Sequence, residues 1–278
     1  MAKESINIVN LIGKIIEIES RTGLTKKGVP YIGGTVKVET SPDNIVPVGF
    51  FAQEITSKGK ENPLYKSLKT VAEDFKTVQK DTREVADVIE IGGARLSENI
   101  FFPQSDRMVR SFQINGAFFN RKPNADTKNE FIVSGEILQV IEDIKNDVPA
   151  GTLTLRLLVV GYGDKANILD FKVEDPAAVK YVQSTFTEGM EVKITGSIVI
   201  DETIEEIKEE VAFGDPIIRT TRKTERKLVI TSATAPVDSS ISQEDKATML
   251  ATREFEIQAK KNEAAAPAQS AAKADFSL

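Results

Sequence analysis

The chain has 278 residues, 40% of them apolar, with no cysteine, histidine or tryptophan and a formal net charge of −6. Without cysteine there are no disulfides, thiolate nucleophiles or Cys-based zinc sites, and without histidine the commonest general base and transition-metal ligand is missing, so most hydrolytic and metal chemistry is disfavoured, no enzyme activity or cofactor is expected, and carboxylate-only catalysis with magnesium, as in a nuclease, is the enzymatic alternative. The length fits two domains, and with no apolar run near the roughly 20 residues of a membrane span and no signal-peptide layout in MAKESINIVN, a cytoplasmic location away from membranes is expected.

In chain order, Ile6–Glu19 (INIVNLIGKIIEIE) reads as an apolar strand broken by Gly13, followed by a turn-rich stretch, Ser20–Gly28, and strands at Gly34–Thr40 and Ile45–Phe51. Pro63–Thr77 switches to helical spacing, with Leu64, Leu68, Val71 and Phe75 on one face. Two strands then follow, Val85–Leu96 and Val109–Phe119. The same order recurs. Glu130–Asp143 (EFIVSGEILQVIED) carries Gly135 where the first copy has Gly13, and a turn at Asn146–Gly151 leads to strands Gly151–Val160 and Asn167–Val173. A helix over Asp175–Phe186, opened by an acid cap and a proline, precedes strands Glu191–Ile200 and Lys227–Thr234.

Three strands, a helix and two strands, with a glycine bending the first strand, is the order of an OB-fold, a small Greek-key barrel. The expected fold is therefore mainly β with short helices: an OB-like barrel over residues 1–125, a second over 126–236, and a C-terminal helix with a flexible tail over 237–278. Ser242–Asp245 has the form of a capping box opening that helix, and Ala264–Leu278 has no core-forming pattern. Glu202–Glu210 (ETIEEIKEE) reads as the outer tip of a long loop or a short helix, and Glu205, Glu206, Glu209 and Glu210 as a solvated face, not a metal site.

The acidic total is unevenly spread, with 18 basic and 15 acidic residues in 1–125 against 18 and 27 in 126–278. A basic groove can persist within an acidic molecule because phosphate responds to the potential within a Debye length of about 8–10 Å. Single strands are gripped by cations along the phosphates and by aromatic rings under the bases. The candidates form three groups. Phe101, Phe102, Arg107, Arg110, Phe112, Phe119, Arg121 and Lys122 lie in one strand-loop-strand unit, Lys26, Lys27 and Tyr31 follow the first strand, and Arg219, Arg222, Lys223 and Arg226 form the densest basic run. Gly23–Gly28 has phosphate-loop spacing but Val29 and Pro30 in place of the lysine and hydroxyl residue, and Gly161–Ala166 is followed by a strand instead of a helix, so both are hairpin turns.

The opening NIVNLIGKIIEIESRTGLTKKG, the pair Val85–Arg95 and Arg110–Phe119, and an Ala-Pro-Gln-Ser-rich end leading to Asp275 and Phe276 resemble the bacterial and phage single-stranded DNA-binding proteins. That resemblance implies an OB-fold, non-specific binding of single-stranded DNA, with RNA as the other candidate, a role in replication, recombination or repair, and a tail whose Asp275 and Phe276 recruit partner proteins. Two copies in one chain imply fewer subunits per assembly, and the divergence fits a phage version acting in the host cytoplasm. Departures are the missing tryptophan and the single acid before Phe276-Ser277-Leu278. The competing reading is a non-enzymatic structural or protein-interaction module, such as a phage assembly component.

Overall fold

The computed structural model describes residues 2–104, 106–145, 147–209 and 217–265, and of 203–209, 217–219 and 221–222 the backbone alone. The first half is built from β1 (Asn7–Leu24), β2 (Pro30–Ser41), β3 (Asn44–Gln53), α1 (Pro63–Asp74), β4 (Val88–Gln104), β5 (Arg107–Asn115) and β6 (Phe118–Arg121). The second repeats it with β7 (Lys128–Lys145), β8 (Val148–Gly161), β9 (Lys165–Val173), α2 (Pro176–Thr185), β10 (Met190–Glu209) and β11 (Ile217–Ala233), then adds β12 (Val237–Asp238) and α3 (Gln243–Ala265).

Each half closes into a five-stranded OB barrel. In the first, β1 pairs with both β2 and β4, and the ring is completed by a parallel contact of β3 with β5 at Gly49 and Asn115. In the second, β7 pairs with β8 and β10, and β9 meets β11 in parallel at Lys172 and Val229. A strand that serves two neighbours must bend, and at the bend the next strand's backbone approaches. A Cβ on Gly13 would stand 2.2 Å from the Glu39 carbonyl oxygen, and one on Gly135 2.6 Å from that of Leu158, so both positions exclude a side chain.

Alternation fills each barrel. Leu11, Ile15, Val36, Val38, Val46 and Val48 are fully buried in the first, and Phe131 and Phe171, with ring centroids 5.4 Å apart, centre the second. The helices plug the barrels. Asn62 caps α1 by accepting from the Leu64 N–H at 3.1 Å, and Asp175 caps α2 by accepting from Ala177 and Ala178 at 3.0 and 2.8 Å. In both helices a proline occupies the first turn, where its missing N–H would have no partner.

The barrels join by antiparallel pairing of β1 with β7. Asn7 faces Val133 and Leu11 faces Asn129, so with Gly13 equivalent to Gly135 the seam is two-fold symmetric about Val9 and Phe131. Side chains repeat the symmetry. Asn7 donates to the Leu96 carbonyl at 2.8 Å and accepts from its N–H at 2.9 Å, and Asn129 does the same with Ile198 at 2.7 and 3.1 Å. The result is a continuous 12-stranded sheet among the described residues.

Ser242 caps α3, accepting from the Asp245 N–H at 3.0 Å, and Met249 of the helix packs with Ile241 against Leu158 and Val160 on the outer side of β8. Lys246 reaches the fully buried Glu136, which also accepts from Ser239 at 2.6 Å. A buried carboxylate needs such partners, so this pair ties α3 to the barrel.

The structure corrects the sequence reading in three places. Of the turn-rich stretch Ser20–Gly28, Ser20–Leu24 is a continuation of β1 in register with β2, and only the residues after it form the turn. Val109–Phe119 is not one strand, because the chain breaks at Gly116 and Ala117 between β5 and β6. Glu202–Glu209 is neither loop tip nor helix: β10 stays extended to Glu209, paired in register with β11 back to Ile217, a long arm whose cross-strand pairing outweighs the low strand propensity of glutamate. Residue 210, the remainder of that acidic stretch, and the tail from 266 lie outside the described residues.

Candidate nucleic-acid interface

The outer face of β2 and β3 borders an open groove on the first barrel. Alternation turns Ile32, Val36 and Val38 inward and leaves Tyr31, Gly33, Thr35 and Lys37 outside, while Pro47, Gly49 and Phe51 of β3 stand beside them. The glycines matter for the rings. Gly33 lies directly under Phe51, where a Cβ would meet the ring at 3.2 Å, and Gly23 lies under Tyr31 at 3.0 Å. With no side chains to lift them, the rings settle on the strands 5.4 Å apart and 32° from parallel, and Phe51 remains 56% exposed. A ring held close to backbone and still exposed to solvent offers a surface on which a base can stack.

Three depressions of about 540, 370 and 440 Å³ adjoin here and share residues. The central one is floored by Gly33, Gly34 and Gly49 and walled by Arg21 and Phe51. Gly49 and Asn115 carry it into a second, bounded by Lys37, Phe112 and, from the other barrel, Ile200 and Arg226. Phe51 and Asn115 carry it into a third, bounded by Arg95, by Tyr162 of the β8–β9 turn and by Lys165 at the start of β9.

The cations along it differ in availability. Glu17 and Glu19 bind the Lys37 ammonium at 2.6 and 2.7 Å and hold its pKa above the usual lysine value, while the Lys37 ammonium keeps the Glu17 carboxyl below its own. The charge of Lys37 is thereby neutralised locally. Arg21, Lys165 and Arg226 have no acidic partner among the described residues, and neither do Lys26 and Lys27 at the exposed tip of the β1–β2 hairpin. Arg95 pairs with Glu4.

The sequence-derived candidates divide. Tyr31, Lys26, Lys27, Phe112 and Arg226 border the groove or its approach, Phe112 half-buried and packed on the core. Phe101, Phe102 and Arg107 lie away from it near the tip of the β4–β5 hairpin, where Gln104 faces Arg107. Lys223 is exposed on β11, and the side chains of Arg219 and Arg222, like Asp275 and Phe276, fall outside the described residues.

Four candidates have other work. Phe119 is core, 4% exposed and edge-on to Phe50 at 5.9 Å, because the break at Gly116 shifts the alternation and turns Phe118 outward instead. Arg110 is bound to Asp170 and stands 3.9 Å from Glu98, which makes it a clamp between barrels. Arg121 binds Asp87 at 3.0 Å and the Asp74 carbonyl at 2.6 Å, 4.3 Å above the Phe75 ring, pinning α1, and Lys122 pairs with Glu90 at 2.7 Å. Missed were Arg21, Phe51, Tyr162 and Lys165. Phe51 was within reach: alternation through IVPVGFF puts it opposite the core residues Val46, Val48 and Phe50.

Among the described residues no group of acids is arranged to hold a metal, and no helix is long and apolar enough to cross a membrane. In sequence, residues 3–263 match the family model described as YorF. No curated protein matches the chain. In structure, the wild-type single-stranded DNA binding protein from Thermus aquaticus is similar with a TM-score of 0.51 at 11% identity, over 86% of this chain and 97% of that one. A deletion mutant of the same protein gives 0.51 at 12% identity, over 87% and 98%. At that identity the likeness is one of fold.

Proposed function

For a chain that belongs to the YorF family and folds as tandem OB barrels, we propose the binding of single-stranded DNA without sequence specificity, as a non-catalytic protein of the cytosol serving replication or recombination. One observation carries this reading: Phe51 lies over Gly33 in a groove edged by Arg21, which has no acidic partner among the described residues, and the Tyr31 ring, over Gly23, stands 5.4 Å from it. Stacking on such rings is worth about 1–3 kcal/mol per base and is indifferent to base identity. Lys26 and Lys27 stand where phosphates leaving Tyr31 would pass. The reading extends to the chain end, where Asp275 and Phe276 are the proposed contact for replication or recombination proteins.

The test is a fluorescence titration with oligo-dT, oligo-U and duplex DNA at two salt concentrations. Oligo-dT should bind most tightly and weaken with salt at a slope of about −0.7 per phosphate contact. Absence of affinity for any of the three at low salt would refute the proposal and favour an interaction module.

A further inference from the structure

The two barrels can be aligned residue by residue. Asn44 Oδ1 accepts from the Ile200 N–H at 2.9 Å, and Asn167 Oδ1 accepts from the Glu98 N–H at 3.2 Å, so each asparagine anchors the opposite barrel's long hairpin. Counting from them, Pro47, Gly49 and Phe51 correspond to Asp170, Lys172 and Glu174, and on the neighbouring strand Thr35 and Lys37 correspond to Thr154 and Arg156, which face the same partners in register. Glu19 faces Thr35 and Ile141 faces Thr154, so two residues on, Arg21 corresponds to Asp143.

Thr35 and the acid-bound Lys37 keep their character in Thr154 and the acid-bound Arg156, but the open floor, the ring and the free cation of the first barrel's groove are all replaced in the second. Where Gly49 leaves the floor open, Lys172 fills it, its ammonium 2.7 Å from both Asp143 and Thr154. Arg156 is bound to Asp170 at 2.8 and 3.1 Å, and Glu174 stands where Phe51 would stack. That face has no ring and no open floor. The second barrel instead extends two pieces into the first barrel's groove: the β10–β11 arm brings Ile200 and Arg226, and the β8–β9 hairpin brings Lys165 and Tyr162, which is 88% exposed.

We propose that the tandem chain forms one composite path for a single strand, running from Arg226 over Gly49 and Phe51 to Tyr162 and Lys165, with the second barrel supplying both ends and no groove of its own. This rests on the binding reading above and adds which residues carry it and how many segments are held. Both ring positions on the path can be truncated with little risk to the fold, since the Phe51 and Tyr162 rings are largely exposed.

Oligo-dT binding by the full chain and by three variants tests it, with melting temperature as the control. Phe51→Ala and Tyr162→Ala should each weaken binding about tenfold, as loss of one stacked base does. Lys172→Ala should change it less than about twofold, and the wild type should hold one segment per chain. Unchanged affinity in Tyr162→Ala alongside a loss in Phe51→Ala, a loss in Lys172→Ala as large as either, or two independent segments per chain would overturn the composite path while leaving the function standing. No binding by the wild type would overturn both.

Discussion

The hairpins β4–β5 and β10–β11 are equivalent by topology, and each is anchored to the opposite barrel through one asparagine, yet their chemistry has diverged. On β4–β5, Glu98 is almost fully buried and accepts two bonds from Arg253 of α3, at 2.6 and 2.7 Å, while Arg110 beside it is bound to Asp170. On β10–β11 the residue equivalent to Glu98 is Ile200, and Arg226, opposite it in register, has no acidic partner among the described residues. Arg110 and Glu98 on one hairpin fasten the molecule together, while Arg226 on the other is left available. Position in the fold therefore does not decide which cation meets a ligand; the nearest carboxylate does.

The strongest way to break this contrast is Glu98→Ala. Removing it leaves Arg253 and Arg110 short of a partner in a half-buried place and should cost about 2–4 kcal/mol in chemical denaturation. A cost below about 1 kcal/mol would mean that the fastening is incidental. Ile200→Ala, a simple trimming of a buried side chain, tests only packing.

Acid provides a second probe. Burial alone would raise the Asp170 carboxyl, but the Arg156 and Arg110 guanidiniums together hold it below the usual aspartate value. A carboxylate with a lowered folded-state pKa stabilises above its unfolded value, near 3.9, and that contribution is lost as pH falls through the folded one. The Asp143 carboxyl is likewise lowered, with burial opposed by Lys172, Thr154 and Thr152. Stability should fall as pH drops below about 4, and Asp170→Asn should flatten that fall. An unaltered acid limb in the variant would remove Asp170 from the fastening.

The smallest effect is the most direct. Arg226→Ala should reduce the salt slope of oligo-dT binding by about 0.7, the share of one phosphate contact, while Arg110→Ala should leave the slope as it was. The reverse outcome would exchange the roles assigned to the two hairpins.

Much of the architecture was legible in the sequence because it depends on local rules. Gly13 and Gly135 mark the two bends, Asn62 with Pro63 and Asp175 with Pro176 open the helices, and alternation separates inner from outer residues along β2 and β3. The site was legible in part. Tyr31 and Arg226 border the groove, but a cluster of cations in sequence does not reveal which of them meets an acid 60 residues away, as Arg110 meets Asp170. Phe119 was misread because the chain break at Gly116 shifts the alternation within a run that looks continuous. The acidic arm was hidden for a related reason: its extended form comes from partners on another strand, not from its own residues.

The β1–β7 seam has a further consequence. In an assembly of identical chains a substitution alters every copy at once, so an acid placed at Asp143 or a lysine at Lys172 would fill all the grooves together. Here each half of the symmetric joint is encoded separately, and one side can lose its opening while the other keeps it. Covalent linkage is what permits a symmetric frame to carry a one-sided surface.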